Sequence, residues 1–260
     1  MKADTEGQKK IAPPSDIVVG RQAVTEALKS QRGVNRLYVA TKDNAVGAII
    51  ALAKERGVAV DFVSRERLTA KVGGLNHQGV LASVAPVSYV EPEEILQRAA
   101  EKGEPPFILI LDELSDPHNL GALLRTAEAV GLHGVLIPKR HTVPLTATVA
   151  KTSAGAVEYV PVARIGNIAQ AMQELKKQGL WIAGADMDGE QELYAADFTC
   201  PLALVIGSEG KGLGRLVKET CDFLVRIPML GKINSLNASV AGSLLMYEVL
   251  RQRRLAGRQS

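Results

Sequence analysis

Three segments of this 260-residue chain carry polar residues where a plain scaffold would not place them. The first is 112–128, DELSDPHNLGALLRTAE, directly after the apolar run Phe107–Leu111. Such a run reads as a central parallel strand buried on both faces, and ligands gather beyond the carboxyl ends of such strands. Asp116-Pro117 makes a turn, and a helix over 119–130 follows with Asn119 as candidate N-cap. Arg125 lies six residues further on among Ala122, Leu123 and Leu124, off the face of Asn119. An arginine on the buried half of a helix needs an anion or a carboxylate. A salt bridge to Glu128 and a bound phosphate are the two readings.

The second segment is 202–214, LALVIGSEGKGLG, a buried strand that runs into a glycine-rich loop with one carboxylate, Glu209. Glycines there permit positive φ and close approach of a ligand to the backbone. The spacing fits neither the Walker loop nor the dinucleotide fingerprint. The third is 227–241, IPMLGKINSLNASVA, where a strand end meets a loop around Gly231 and then Ser235, a candidate N-cap, and Asn237. The helix after it is rich in small residues, Ala238, Ser239, Ala241, Gly242 and Ser243. Small residues let another backbone pack closely, as a dimer face or a tightly threaded chain requires. His77, His118, His133 and His141 share no metal-ligand spacing with each other or with Cys200 and Cys221, so no metal is expected. No G-x-S-x-G nucleophile elbow occurs. Trp181 reads as core.

The elements that must position these residues divide into two groups. Helices over 20–30, 44–56 (N-cap Asn44) and Arg65–Val72 alternate with strands Arg36–Ala40, 58–63 and Val80–Val84, which makes a small α/β domain over 17–85. Residues 86–106 are charged and proline-bracketed and read as a linker with one or two helical turns. From 107 to 253, strands Phe107–Leu111, Gly134–Ile137, Leu180–Ala183, Leu202–Ile206 and Phe223–Ile227 alternate with helices over 119–130, 145–153, 166–178, Leu213–Thr220 and Leu236–Arg253. That is a doubly wound α/β pattern. No repeat or low-complexity segment is present.

Composition excludes other classes. Hydrophobic residues make up 46% and charged residues 23%, as in a soluble globular protein. Two cysteines exclude a disulfide scaffold and fit a reducing, cytoplasmic compartment. No apolar run reaches the length of a membrane span, and the polar leader 1–16 is no signal peptide. The net charge is +3, but residues 251–260 hold four arginines and no acid, and without them basic and acidic residues balance to within one. The body is therefore near neutral, and a basic tail at 254–260 either adds phosphate contacts or is a frayed helix end.

Taken together the three segments resemble the motifs of the SpoU (TrmH) family of RNA ribose 2′-O-methyltransferases, in the knotted SPOUT class. Motif 1 corresponds to Asn119 and Arg125 in NLGALLRTAEA, motif 2 to Ile206-Gly207-Ser208-Glu209-Gly210-Lys211-Gly212, and motif 3 to Ile227-Pro228-Met229, Gly231 and Ser235-Leu236-Asn237-x-Ser239, with Ala238 where valine is common. The leading domain is similar to a substrate-binding module related to a kink-turn-binding ribosomal protein. Gly20-Arg21-Gln22-Ala23-Val24 and His77-Gln78-Gly79 carry that likeness. The subgroup with this module methylates a guanosine 2′-oxygen of bacterial 23S rRNA.

The resemblance implies a small N-terminal α/β substrate-binding domain and a C-terminal parallel-sheet α/β domain tied in a trefoil knot, a topology priors would reject. It implies S-adenosyl-L-methionine bent within the knot against Gly207, Ile227 and Leu236, with Ile206, Met229 and Ser235 as neighbours. It implies Arg125 as the catalytic arginine, Asn119 orienting it or the ribose, and Glu209 and Asn237 positioning loops and nucleotide. It further implies an RNA partner, rRNA before tRNA, and a homodimer whose sites are completed across the interface. A tRNA 2′-O-methyltransferase is the alternative within the class. A non-catalytic RNA-binding assembly protein is the alternative outside it.

Overall fold

The computed structural model describes residues 16–257 except Glu209, Lys211 and Asn234. The leader, the end of the tail and the Glu209 site expectation thus lie outside the described residues.

The first unit contains β1 (Ile17–Val19), α1 (Arg21–Lys29), β2 (Val34–Val39), α2 (Asn44–Glu55), β3 (Ala59–Phe62), α3 (Arg65–Lys71) and β4 (Val80–Val84). Its sheet runs β1-β4-β2-β3, with β4 antiparallel to both neighbours and β2 parallel to β3. One face packs Leu37, Val39, Val80 and Ala82 against Val24 and Leu28 of α1 and Val46 and Ile49 of α2. The other face puts Val19 and Leu81 on Leu68 and Val72, joined by Ala147 from the second unit. Asp43, not Asn44, caps α2: its carboxylate accepts from the Val46 N–H at 3.0 Å.

The second unit contains α4 (Pro92–Lys102), β5 (Phe107–Leu111), α5 (Pro117–Ala129), β6 (Gly134–Pro138), α6 (Ala147–Thr152), β7 (Val162–Ile165), α7 (Ile168–Lys177), β8 (Trp181–Ala185), β9 (Gln191–Glu192), β10 (Leu202–Ile206), α8 (Arg215–Thr220), β11 (Phe223–Arg226) and α9 (Ala238–Ala256). Every pairing in its sheet, β7-β6-β5-β10-β8-β11-β9, is parallel. Side chains alternate between two cores, which is why the central strands read as unbroken apolar runs. Leu109, Leu111, Leu204 and Ile206 pack with α5 and α9 residues such as Leu123, Leu124, Leu245 and Met246. Ile108, Ile110, Ala203 and Val205 pack with Ile95 of α4, Met172 and Leu175 of α7, and Val217 of α8. Strand order reverses between β5 and β10, so the crevice beyond their carboxyl ends is the ligand side.

Two further sequence expectations change, those for the linker and for Trp181. The linker holds a helix of three turns, α4, whose Ile95 is fully buried and sits where a Cβ on Gly134 would reach it at 2.5 Å. Pro92 at the first turn and the Glu91–Glu94 capping box start it, two signals that the charge of 91–106 obscured. Trp181 opens β8 and is 51% exposed, so it is not core. Arginines of the last helix serve the fold: Arg253 donates to the carbonyls of Pro105, Pro106 and Cys200 and lies over the Phe107 ring, while Arg251 pairs with Glu248 at 2.7 Å. The two units are docked against each other. The Arg32–Glu158 ion pair is buried at 2.7 Å, Tyr159 donates to Glu26 at 2.7 Å, and Lys151 donates to the Asn76 carbonyl at 2.6 Å.

Candidate active site

The glycine-rich loop leaves β10 at Gly207, which is buried. Ser208 and Gly212 exchange two backbone hydrogen bonds, at 3.1 and 3.0 Å, which folds the loop back on itself. Gly210 and Gly212 take φ of +82° and +64°, the region that favours glycine. A Cβ on Gly207 would stand 2.2 Å from the Gly212 carbonyl carbon. The lack of a side chain at Gly207 is therefore required by the loop's own backbone, not only by a ligand. The loop is pinned to the end of β5. The Asp112 N–H donates to the Ile206 carbonyl at 2.8 Å, and its carboxylate accepts from Gly214 N–H at 3.1 Å. Burial raises the Asp112 pKa, and the Gly214 N–H opposes that rise.

Asp116 caps α5 by accepting from the His118 N–H at 2.9 Å, so the capping role expected of Asn119 is taken. Asn119 is instead buried, and its Oδ1 accepts from Asn237 Nδ2 at 3.1 Å. Asn237, not Ser235, caps α9: its Oδ1 accepts from the N–H groups of Ser239 and Val240 at 2.9 and 3.3 Å. Thr126 and Ser243 share a second bond between these helices at 2.9 Å. Gly242 and Ser243 of α9 lie in this contact, since a Cβ on Gly242 would meet Leu123 at 2.5 Å and Ile206 at 3.5 Å. Arg125 departs from expectation. It is exposed, not on the buried half of its helix, and among the described residues it forms no ion pair with Glu128 or any other acid. The apolar Leu123 and Leu124 beside it point into the core while its guanidinium faces outward.

Leu236, the residue before Asn237, lines a cleft with an empty volume of about 540 Å³. Ile227, Met229, Ser235 and Leu236, four of the six expected cofactor positions, line it. Gly207 and Ile206 do not line it; Ile206 is in the core. Five lining residues were not anticipated: Ala185, Asp186, Met187, Val225 and Ala241. The Asp186 side chain is 4% exposed, pairs with Lys218 at 2.6 Å and accepts from the Asp188 N–H at 3.1 Å. Its place at the carboxyl end of β8 was the sequence signal that could have found it. The cleft thus offers apolar walls to a flat ring and a carboxylate and a hydroxyl to polar edges, which fits an adenosine group. Among the described residues, no cluster of three His, Cys, Asp or Glu could hold a metal ion, and no helix is long and apolar enough to cross a membrane.

Residues 106–247 match the model of the SpoU rRNA Methylase family. The chain belongs to that family. Residues 17–90 match the model described as RNA 2′-O ribose methyltransferase substrate binding, so this SpoU chain carries both parts. It is 52% identical over 244 residues to a Bacillus subtilis protein named for the TrmH family of tRNA/rRNA methyltransferases, covering 93% of this chain and 98% of that one. Among solved structures, the SpoU methyltransferase AviRb of Streptomyces viridochromogenes, in complex with AdoMet, superposes with TM-score 0.77 at 24% identity over 92% of this chain and 90% of its own. An AdoMet-bound rRNA methyltransferase of Sinorhizobium meliloti gives 0.74 at 24% identity over 90% and 86%. These two likenesses bear on the fold, which in both includes the leading domain.

Proposed function

We propose that this SpoU protein methylates the 2′-hydroxyl of a ribose in RNA, a guanosine of 23S rRNA, with S-adenosyl-L-methionine as donor. The observation that carries the reading is the bond between Asn119 and Asn237, which joins the first motif to the third one residue after Leu236, a residue of the cleft wall. Relatives of this chain are named for tRNA and rRNA alike. The globular leading domain favours rRNA.

S-adenosyl-L-methionine, when bound, supplies a methyl group activated by a sulfonium sulfur. Ile227, Met229 and Leu236 are suited to enclose its adenine, and Asp186 and Ser235 to accept from or donate to its polar edges. Gly207, Ile206 and Asp112 hold the neighbouring loop in the shape this requires. Arg125, exposed and unpaired among the described residues, is suited to clamp an RNA phosphate with its planar fork and so fix the ribose beside it. A guanidinium holds its proton too firmly to serve as the base. It polarises the 2′-hydroxyl, and a phosphate oxygen or water takes the proton. Asn119 and Asn237 keep α5 and α9 in register, so that the arginine and the cleft share one frame. Glu209 is assigned to positioning the motif 2 loop.

We also read the loops after β10 and β11 as the crossing of the family's trefoil knot, and the protein as a homodimer. The outer side of α9 supports the second point. Val240, Leu244 and Tyr247 recur at helical spacing and are 42–52% exposed, an apolar strip that a second copy would cover. The test of the target is to map 2′-O-methyl groups in 23S rRNA from cells with and without the protein. Loss of one guanosine modification is expected, and an unchanged rRNA with a changed tRNA would move the assignment to tRNA.

A further inference from the structure

The two motifs of the leading domain that the active site does not use meet at the seam between the domains. The Arg21 N–H donates to Gln78 Oε1 at 3.0 Å and its Nε to the Gln78 carbonyl at 3.1 Å. His77 is buried beneath them. Its Nδ1 accepts from the Gly79 N–H at 3.0 Å, and its Nε2 faces Thr69 Oγ at 3.2 Å, which locks the 76–79 loop. A Cβ on Gly79 would strike Thr41 at 2.3 Å, so Gly79 lets this loop press on the one after β2. Between the two loops opens a concavity with an empty volume of about 720 Å³, lined by Arg21, Thr41, Asp43, Arg65, Asn76 and Gln78. Lys151, from α6 of the catalytic domain, reaches its rim by donating to the Asn76 carbonyl at 2.6 Å.

Charge here is one-sided. Arg21, Arg65 and Lys151 surround the opening, and its lining holds a single carboxylate, Asp43, which Arg21 already engages. Burial first, and then Arg65 and Lys151, lower the His77 pKa, which places both cations near one ring, and that ring brings no negative charge to the opening. Next to the lining loop, Lys42 stands over the ring of Phe62 at 5.0 Å, and Phe62 is 58% exposed. Exposed aromatics interleaved with cations suit stacked bases and phosphates better than an acidic peptide, which has no flat ring to stack. Lys151 also points the way onward. Thr152, beside it, donates to the carbonyl of Pro117, the first residue of the helix that carries Asn119 and Arg125.

We propose that this seam is a subsite for the RNA backbone, in which Arg65 and Lys151 hold a phosphate from opposite domains, Phe62 stacks a base, and the strand continues along α6 toward Arg125. The proposal rests on the RNA methyltransferase reading and extends it to the path of the substrate. It makes the docking of the two domains part of substrate recognition, since neither supplies both cations.

The test is binding of a fluorescein-labelled 23S rRNA fragment, by anisotropy over a salt series, to the full-length protein and to Arg65→Ala, Lys151→Gln and Phe62→Ala. Arg65→Ala leaves the domain contact untouched, so it stays informative if Lys151→Gln disturbs docking. Each cation variant is expected to bind several-fold more weakly, with the slope of log affinity against log salt reduced by about 0.7 for each phosphate that is no longer neutralised. Phe62→Ala is expected to weaken binding with the slope unchanged. S-adenosyl-L-methionine affinity by calorimetry is expected to be unchanged in all three. Affinity and slope that stay at the wild-type values in Arg65→Ala and Lys151→Gln would overturn the proposal, as would competition by polyglutamate as effective as by unlabelled RNA. If the unaltered protein binds no RNA at any salt, the methyltransferase reading itself fails.

Discussion

Asn237 donates from Nδ2 to Asn119 Oδ1 at 3.1 Å while its own Oδ1 caps the last helix. One side chain thus starts α9 and ties it to α5, and the two jobs use different atoms. Asn237→Asp keeps an oxygen for the cap and removes the donor. It is expected to melt within a few degrees of wild type and to lose at least about tenfold in methyl transfer, roughly 1.4 kcal/mol of barrier. Asn237→Ala removes both and is expected to lose about 1 kcal/mol of stability in addition. Melting curves and initial rates on the same preparations check this. A fully active aspartate variant would show that the bond does not matter to the reaction.

Arg125 is exposed and without an acid partner among the described residues, so a structural role gives it little to do. Arg125→Lys and Arg125→Ala are both expected to lose nearly all methyl transfer, by about 10² or more as for other preorganised charge contacts. Melting temperature and S-adenosyl-L-methionine affinity are expected to stay close to wild type. A lysine variant retaining more than about a tenth of the rate would contradict the phosphate clamp.

Asp186 is a buried carboxylate in the cleft wall, held by Lys218 at 2.6 Å. Asp186→Ala removes the acceptor and leaves Lys218 without its partner. S-adenosyl-L-methionine affinity by calorimetry is expected to fall by about tenfold or more, the scale of a hydrogen bond to a charged group. Unchanged affinity would remove Asp186 from the cofactor site.

Tyr159 links the domains through its bond to Glu26. Burial first, and then that bond, push its pKa up from 10.0 to about 12. A folded-state pKa above the unfolded one favours the protonated form in the native protein, so the contribution is complete below pH 10 and is lost as pH climbs from 10 to 12. Across that interval the wild-type melting temperature is expected to fall more steeply than that of Tyr159→Phe. Parallel curves would show that the hydroxyl does not couple to folding.

Much of this arrangement was legible in the sequence, and the rest was hidden for physical reasons. Val80–Val84, Phe107–Leu111 and Leu202–Ile206 match the observed strands end to end because apolar runs of that length leave little choice. Gly207, Asn119 and Asn237 stood out because they fall in three segments that together match one family's motifs, although caps and tight turns use the same residue types. The environment of Arg125 did not follow from its neighbours in sequence, since successive helical residues point in different directions. For the same reason Ser235 and Asn119 looked like caps when Asn237 and Asp116 hold those positions. Helix α4 was masked by charge that only its outer face carries. Asp186 carried a sequence signal in its place after β8, but its partners in the cleft needed the fold, because the wall joins the ends of β8 and β11 with a loop some fifty residues later in the chain.

The central claim is that the methyl group goes to a ribose 2′-oxygen of RNA. The direct measurement is to incubate the protein with 23S rRNA and methyl-labelled S-adenosyl-L-methionine, hydrolyse the RNA in alkali, and separate the products by size. A 2′-O-methyl group removes the nucleophile that alkali needs to cut the adjacent phosphodiester. The expected result is label in an alkali-stable dinucleotide, abolished in Arg125→Ala. Label recovered in mononucleotides, which would place the methyl on a base, or no label in any RNA, would contradict the account.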